Sequence, residues 1–278
     1  SGRVFLGARP LFGTPDVKAR TIILAPIKPR RATEIALRRI IIEILREIEA
    51  RRADILSAAI AARSELHQDR IDLGSILEGI KAFVGPLASA ARFMIRRLFK
   101  IESVRHGQKF MQQINAAIGV DLKAVVAQEG VETLIDLATQ RNVALITGLT
   151  ADVQKRIETV LIDMITAGKS NADMAKALDD AFQFGRKRAA LIARDQAAKF
   201  NGNLNRIRQQ EAGVTDYIWW TVHDERVRGN PDGKYPNAKP SHWARHGKQF
   251  AYEDPPSDGN PGEPINCRCI ARPVLKVP

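Results

Sequence analysis

Apolar residues return at helical spacing over most of this chain. From Glu34 to about Gln68, Leu37, Ile41, Ile44, Ile48 and Ile55 recur with Arg and Glu between them. Thr33 is placed to cap that run, and neither Gly nor Pro interrupts it. The spacing predicts one helix on the order of 50 Å long. Ile40, Ile42 and Ile60 widen its apolar face beyond a two-stranded seam, which suits a bundle.

A second helix is expected over Leu73–Lys100, weakened at Gly85-Pro86 because proline lacks the N–H donor and crowds the preceding turn. Shorter helices follow over Phe110–Ile118, Leu122–Gln128 and Val131–Ile146, with Gly119, Gly130 and Gly148 as stop signals. Another runs to Ala167. Ser170 or Asn171 starts one to about Phe184, and a last one spans Arg186–Ala212. Beyond Gly213 the pattern changes. The stretch from Tyr217 to Val222 is β-branched and aromatic, a strand, and the stretch from Cys269 to Leu275 returns as its partner. Trp219 and Trp220 must then face opposite sides, one of them the core.

The fold class expected is mainly α: long helices forming an extended helical body, with a small C-terminal α+β module. Residues 1–30 read as an extended N-terminal arm, 31–185 as the helical body and 186–278 as the C-terminal module. The apolar face of the first long helix, Leu37, Ile41, Ile44 and Ile48, is the candidate partner-binding surface.

Composition adds two constraints. The formal net charge is +12, which suits work near a polyanion through phosphate neutralisation, without base readout. No run approaches the roughly 20 apolar residues of a membrane span, so no membrane contact is expected. The two cysteines, Cys267 and Cys269, are too few for a disulfide framework and too close for an unstrained bridge, which favours a reducing compartment.

Candidate chemistry concentrates near the C-terminus. Asp224, followed by Arg226 and Arg228, can anchor a loop through charge-assisted hydrogen bonds. Trp219, Asp224, Arg226, Arg228, His242, His246, Cys267 and Cys269 are the candidate structural cluster. Within it, Asp224, Arg226, His242 and the Cys267–Cys269 hairpin are expected to form one polar knot. Cys267 and Cys269 with His242 and His246 offer the S and N donors that zinc prefers, but a complete site has to gather scattered histidines. The expectation is a pair of reduced buried thiols, no metal and no cofactor. His223, Asp224 and Glu225 resemble an acid/base group. Neighbouring residues on a strand face opposite ways, however, and neither a nucleophile signature nor a phosphate-binding glycine loop is present, so no enzyme is expected.

Several pieces recur in one order: Leu191 to Asp195, Asn203 to Gln210, Gly213-Val214, Tyr217 to Thr221, Asp224 to Arg228, Ser241-His242, His246-Gly247, and Pro261 to Val274. Together they resemble the Mu F-like minor head proteins of tailed phages, over roughly Asn142 to Leu275. The resemblance implies a structural, non-enzymatic protein of head morphogenesis, held at the portal vertex or capsid interior. The implied partners are the portal protein, the major capsid protein and packaged double-stranded DNA. The implied location is the virion head, with the host cytoplasm during assembly. Two other classes remain open: an enzyme acting on nucleic acid, such as a nuclease or toxin-like domain, and a non-specific DNA-binding module.

Overall fold

The computed structural model describes residues 20–65, 74–120 and 130–277. Among the described residues, five helices make up the body: α1 (Arg31–Glu49), α2 (Arg52–Glu65), α3 (Gly74–Ile118), α4 (Val131–Thr166) and α5 (Asn171–Glu211). Four strands form one antiparallel sheet: β1 (Arg20–Ile23), β2 (Asp216–Trp220), β3 (Gln249–Ala251) and β4 (Ile270–Val277), in the order β1-β4-β2-β3. The chain is therefore mainly α with a small C-terminal α+β module. β2 and β4 pair with Trp219 opposite Ala271. Trp219 is fully buried while Trp220 on the other face is half-buried.

The helices differ from the sequence pattern in how they join. The expected run to Gln68 breaks at Ala50 and Arg51, where N–H groups turn back to Arg46 and Ile48. The turn keeps Ile48 and Ile55 on one core. α1 begins at Arg31 with Arg30 at the cap position. Thr33 lies inside the helix, where its hydroxyl donates to buried Glu102 at 2.8 Å. Pro86, Gly148 and Gly185 do not end helices; each sits inside one. At Gly185 the reason is contact. A Cβ there would meet Val153 Cγ2 at 3.0 Å and Leu45 Cδ1 at 3.4 Å, so the glycine lets α5 approach α1 and α4 closely. The gain from that packing exceeds the roughly 1 kcal/mol that glycine costs a helix. The expected boundary at 185/186 thus falls inside α5. Ser170 does start α5, in a reciprocal capping box with Asp173. The segment Leu122–Gln128 lies outside the described residues.

Leu37, Ile41, Ile44 and Ile48 do not form a docking surface. They are at most 3% exposed and belong to the main core, with Val153, Leu178 and Phe182. Periodicity reveals that a helix has an apolar face; here the chain's own helices cover it.

The arm expectation also changes over its described part. β1 pairs with β4 through Arg20–Val277 and Ile23–Val274. Leu24 and Ile27 then pack with Phe110, Ile114, Val214 and Leu275. Residues 20–27 are extended, yet they complete the chain's own sheet and a second small core. Residues 1–19 of the expected arm lie outside the described residues.

Candidate functional site: a cysteine–histidine knot

The chain beyond α5 builds the site. β2 carries Tyr217 and Trp219 inward, and both are fully buried. Tyr252, Cys267, Cys269 and Ala271 complete a third apolar cluster around them. The loop from Pro261 to Asn266 then passes very close to α5. A Cβ on Gly202 would lie 2.8 Å from the Pro261 carbonyl oxygen, and Gly262 has a φ of +95°. Asn266 is left-handed, with a φ of 56°, and its N–H donates to Asp195 Oδ1 at 2.6 Å. Asparagine tolerates that backbone conformation better than most residues. This turn delivers Cys267 and Cys269 to the interior.

His242, just ahead of a single 3₁₀ turn (Trp243–Arg245), meets both sulfurs. Its Nδ1 lies 3.5 Å from Cys267 Sγ and 3.6 Å from Cys269 Sγ. Its Nε2–H donates to Asp258 Oδ2 at 2.9 Å, and Arg245 donates to the other Asp258 oxygen at 2.6 Å. The Arg245 guanidinium also lies over the Trp219 ring, 4.8 Å from its centroid. His242 and both cysteines are buried.

These contacts set the charges. Burial lowers the basicity of His242, but Cys267 and Asp258 outweigh it and raise its pKa. Burial likewise opposes the Asp258 charge, and the hydrogen bonds from His242 and Arg245 overcome it. The two sulfurs part company. Cys267 is pushed well down, first by a hydrogen bond from Cys269 and then by His242, whereas Cys269 is pushed up by that same hydrogen bond, then by burial and by its partner's charge.

The rest of the expected cluster divides differently. Asp224 does not join His242. It pairs with the Arg268 guanidinium and accepts the Arg226 backbone N–H at 3.0 Å. Burial would raise its pKa, but these partners hold it below the usual carboxylate range. The Arg226 side chain lies 3.8 Å from Glu225. Arg228 donates to the Ile265 carbonyl at 2.8 Å, tying the two loops together. A pocket of ≈ 230 Å³ opens beside the knot, bordered by Arg226, Arg228, Tyr235 and Arg268.

His246 is separate again. Its Nδ1 accepts from the Thr221 N–H at 3.2 Å, and its ring faces His223, with an Nε2–Nε2 separation of 3.0 Å. Burial, and then the charges of His223 and Arg272, lower its pKa. His242 is therefore the histidine that the cysteines share, and His246 is not.

Sequence reasoning missed a polar layer deeper in the fold. Asn205 and Arg208, inside the motif Asn203 to Gln210, are buried against α3. Arg208 NH1 donates to His106 Nδ1 and to the Ser103 carbonyl, both at 2.9 Å. His106 Nε2–H donates to Asn205 Oδ1 at 3.0 Å. Asn201 and Asn205 both donate to the Ile27 carbonyl. Gln209 accepts from the Tyr252 hydroxyl at 2.6 Å and so reaches the aromatic cluster of the sheet.

The long-helix body is thus closed by a small antiparallel sheet whose loops are fastened by a cysteine–histidine knot. The family described as Phage Mu protein F like protein matches residues 155–272 of this chain. The match covers the last third of α4, all of α5, the knot and the first part of β4. An uncharacterized protein of Haemophilus influenzae is 32% identical over 159 residues, covering 56% of this chain and 33% of that protein. The chain spans about a third of the length of that curated relative. No solved structure matches.

Proposed function

We propose that this chain is a minor head protein of a tailed bacteriophage, with a structural role in head morphogenesis beside the portal vertex and the packaged DNA. The carrying observation is the family match over 155–272, the stretch that holds both the knot and the Asn203 to Gln210 layer. In this reading the C-terminal module is a rigid plug and the outward helix faces and residues 1–19 meet the portal or major capsid protein. The net charge of +12 favours non-specific contact with DNA phosphates. Lys28, Arg30, Arg31, Arg194 and Arg268 border one pocket of ≈ 250 Å³ and suit such contact. Among the described residues, no helix is long and apolar enough to cross a membrane.

The test is affinity of the full chain for portal and major capsid protein, compared with the chain begun at Arg20, across a salt series. Truncation at Arg20 retains β1 and every residue of the three apolar clusters. Tight binding by the full chain that survives salt supports the reading. Absence of binding to either protein, with heads assembling equally well without this chain, rejects it.

A second reading, an enzyme acting on nucleic acid, draws on the His223–His246 pair beside Arg272. It requires cleavage that disappears in His223→Ala. The Cys267–His242–Asp258 series resembles a nucleophile, base and orienting acid, but the Cys267 side chain is only 4% exposed. That burial leaves little room for a substrate carbon at the sulfur.

A further inference from the structure

We propose that His242, Cys267 and Cys269 bind one zinc ion, which cross-links the start of β4 to the loop carrying the 3₁₀ turn. This proposal departs from the expectation of two metal-free thiols, and its ligand set omits His246, whose ring faces His223 instead.

Three observations meet here. The first is the donor set. His242 Nδ1 and the two sulfurs lie within 4.8 Å of one another, and all three residues are buried. Two thiolates and one imidazole form a borderline-soft set suited to zinc rather than to magnesium or calcium. The second is spacing. Zinc–sulfur bonds of about 2.3 Å and zinc–nitrogen bonds of about 2.0–2.1 Å at a tetrahedral angle imply S···N edges of roughly 3.5–3.6 Å. The observed separations are 3.5 and 3.6 Å. The third is the shell behind the ligands. The far nitrogen of His242 donates to Asp258, which Arg245 holds in turn. A carboxylate on the non-ligating nitrogen fixes the ring and its tautomer in zinc sites. The Gly262 N–H, 3.5 Å from Cys267 Sγ, supports a thiolate in the same way.

The surrounding cations do not oppose this. Two thiolates cancel the charge of the ion, and Arg268 and Arg228 already face Asp224 and the Ile265 carbonyl. The fourth position falls to water from the adjoining pocket, which both cysteines and His242 border.

The test uses the full chain, untagged and purified without chelator. Elemental analysis should find about one zinc per chain, as a single site requires. Cys267→Ser, Cys269→Ser and His242→Ala should each lose it, while His246→Ala and His223→Ala keep it. Because the first three variants could also misfold, cobalt is added to the wild-type protein after mild chelation. Sulfur-to-cobalt charge-transfer bands should appear. Asp258→Asn should weaken zinc about 10–100-fold in chelator competition. Wild-type protein that carries no zinc and gives no cobalt bands, or zinc that persists in Cys267→Ser, overturns the proposal.

Discussion

Arg208 donates to the Nδ1 of His106 at 2.9 Å, inside the protein, where α5 crosses α3. This bond assigns the tautomer: the Nδ1 accepts, and the Nε2–H donates to Asn205. A guanidinium cannot give up its proton, so the imidazole must stay neutral. Burial, then the Arg208 charge, pushes the His106 pKa down from 6.5 to about 3.

That relationship has a pH signature. Above pH 6.5 the ring is neutral both folded and unfolded, and the layer contributes fully. Below that, the unfolded ring takes up a proton that the folded ring refuses until about pH 3. Stability should therefore fall as pH falls through this window, by about 1.4 kcal/mol per pH unit from this group. Urea unfolding of wild type and His106→Gln at several pH values measures it. The variant should lose one proton's worth of slope; equal slopes would refute the assignment.

Ile41 separates a core from a docking surface. It is 1% exposed within the main cluster. Ile41→Ala should cost about 2–5 kcal/mol, as large-to-small core changes do. A docking residue would instead leave thermal unfolding unchanged and weaken only partner binding. Thermal melts of the isolated chain distinguish the two.

The sequence made some of this legible and hid the rest for physical reasons. The aromatic run from Tyr217 to Trp220 announced β2, and alternation placed Trp219 inward, because both signals are local. The return strand was legible in the same way. Gly148 and Gly185 looked like stops because a glycine's cost to a helix is local, whereas the packing that outweighs it at Gly185 comes from Leu45 and Val153, far away in the chain. Leu37 and Ile41 revealed an apolar face but not what covers it. The buried pair of Arg208 and His106 was not legible, since nothing in their neighbours along the chain tells a buried polar pair from a solvated one. His242 and His246 are one turn's spacing apart, and only the fold decides which of them meets the cysteines.

Gly202 and Gly262 lock the cysteine turn onto α5. A methyl at Gly202 would press on the Pro261 carbonyl oxygen at 2.8 Å, a backbone atom that cannot rotate away. Gly202→Ala should gain helix propensity yet destabilise the protein by about 1–3 kcal/mol through overpacking. Thermal unfolding is the readout. A rise in melting temperature would mean that the loop does not sit on α5.

Lys28 and Arg31 are exposed at the mouth of the basic pocket near the start of α1. If this edge meets DNA phosphates, each side chain that releases a counterion contributes to the salt dependence of binding. On duplex DNA, removing one phosphate contact should reduce the slope of log affinity against log salt by about 0.9. Lys28→Ala combined with Arg31→Ala should therefore flatten it by roughly 1.8, equally for unrelated sequences. Fluorescence anisotropy over a salt series on two duplexes of different sequence measures both points. An unchanged slope moves the DNA contact off this edge. A loss confined to one duplex contradicts phosphate contact altogether and points to base readout.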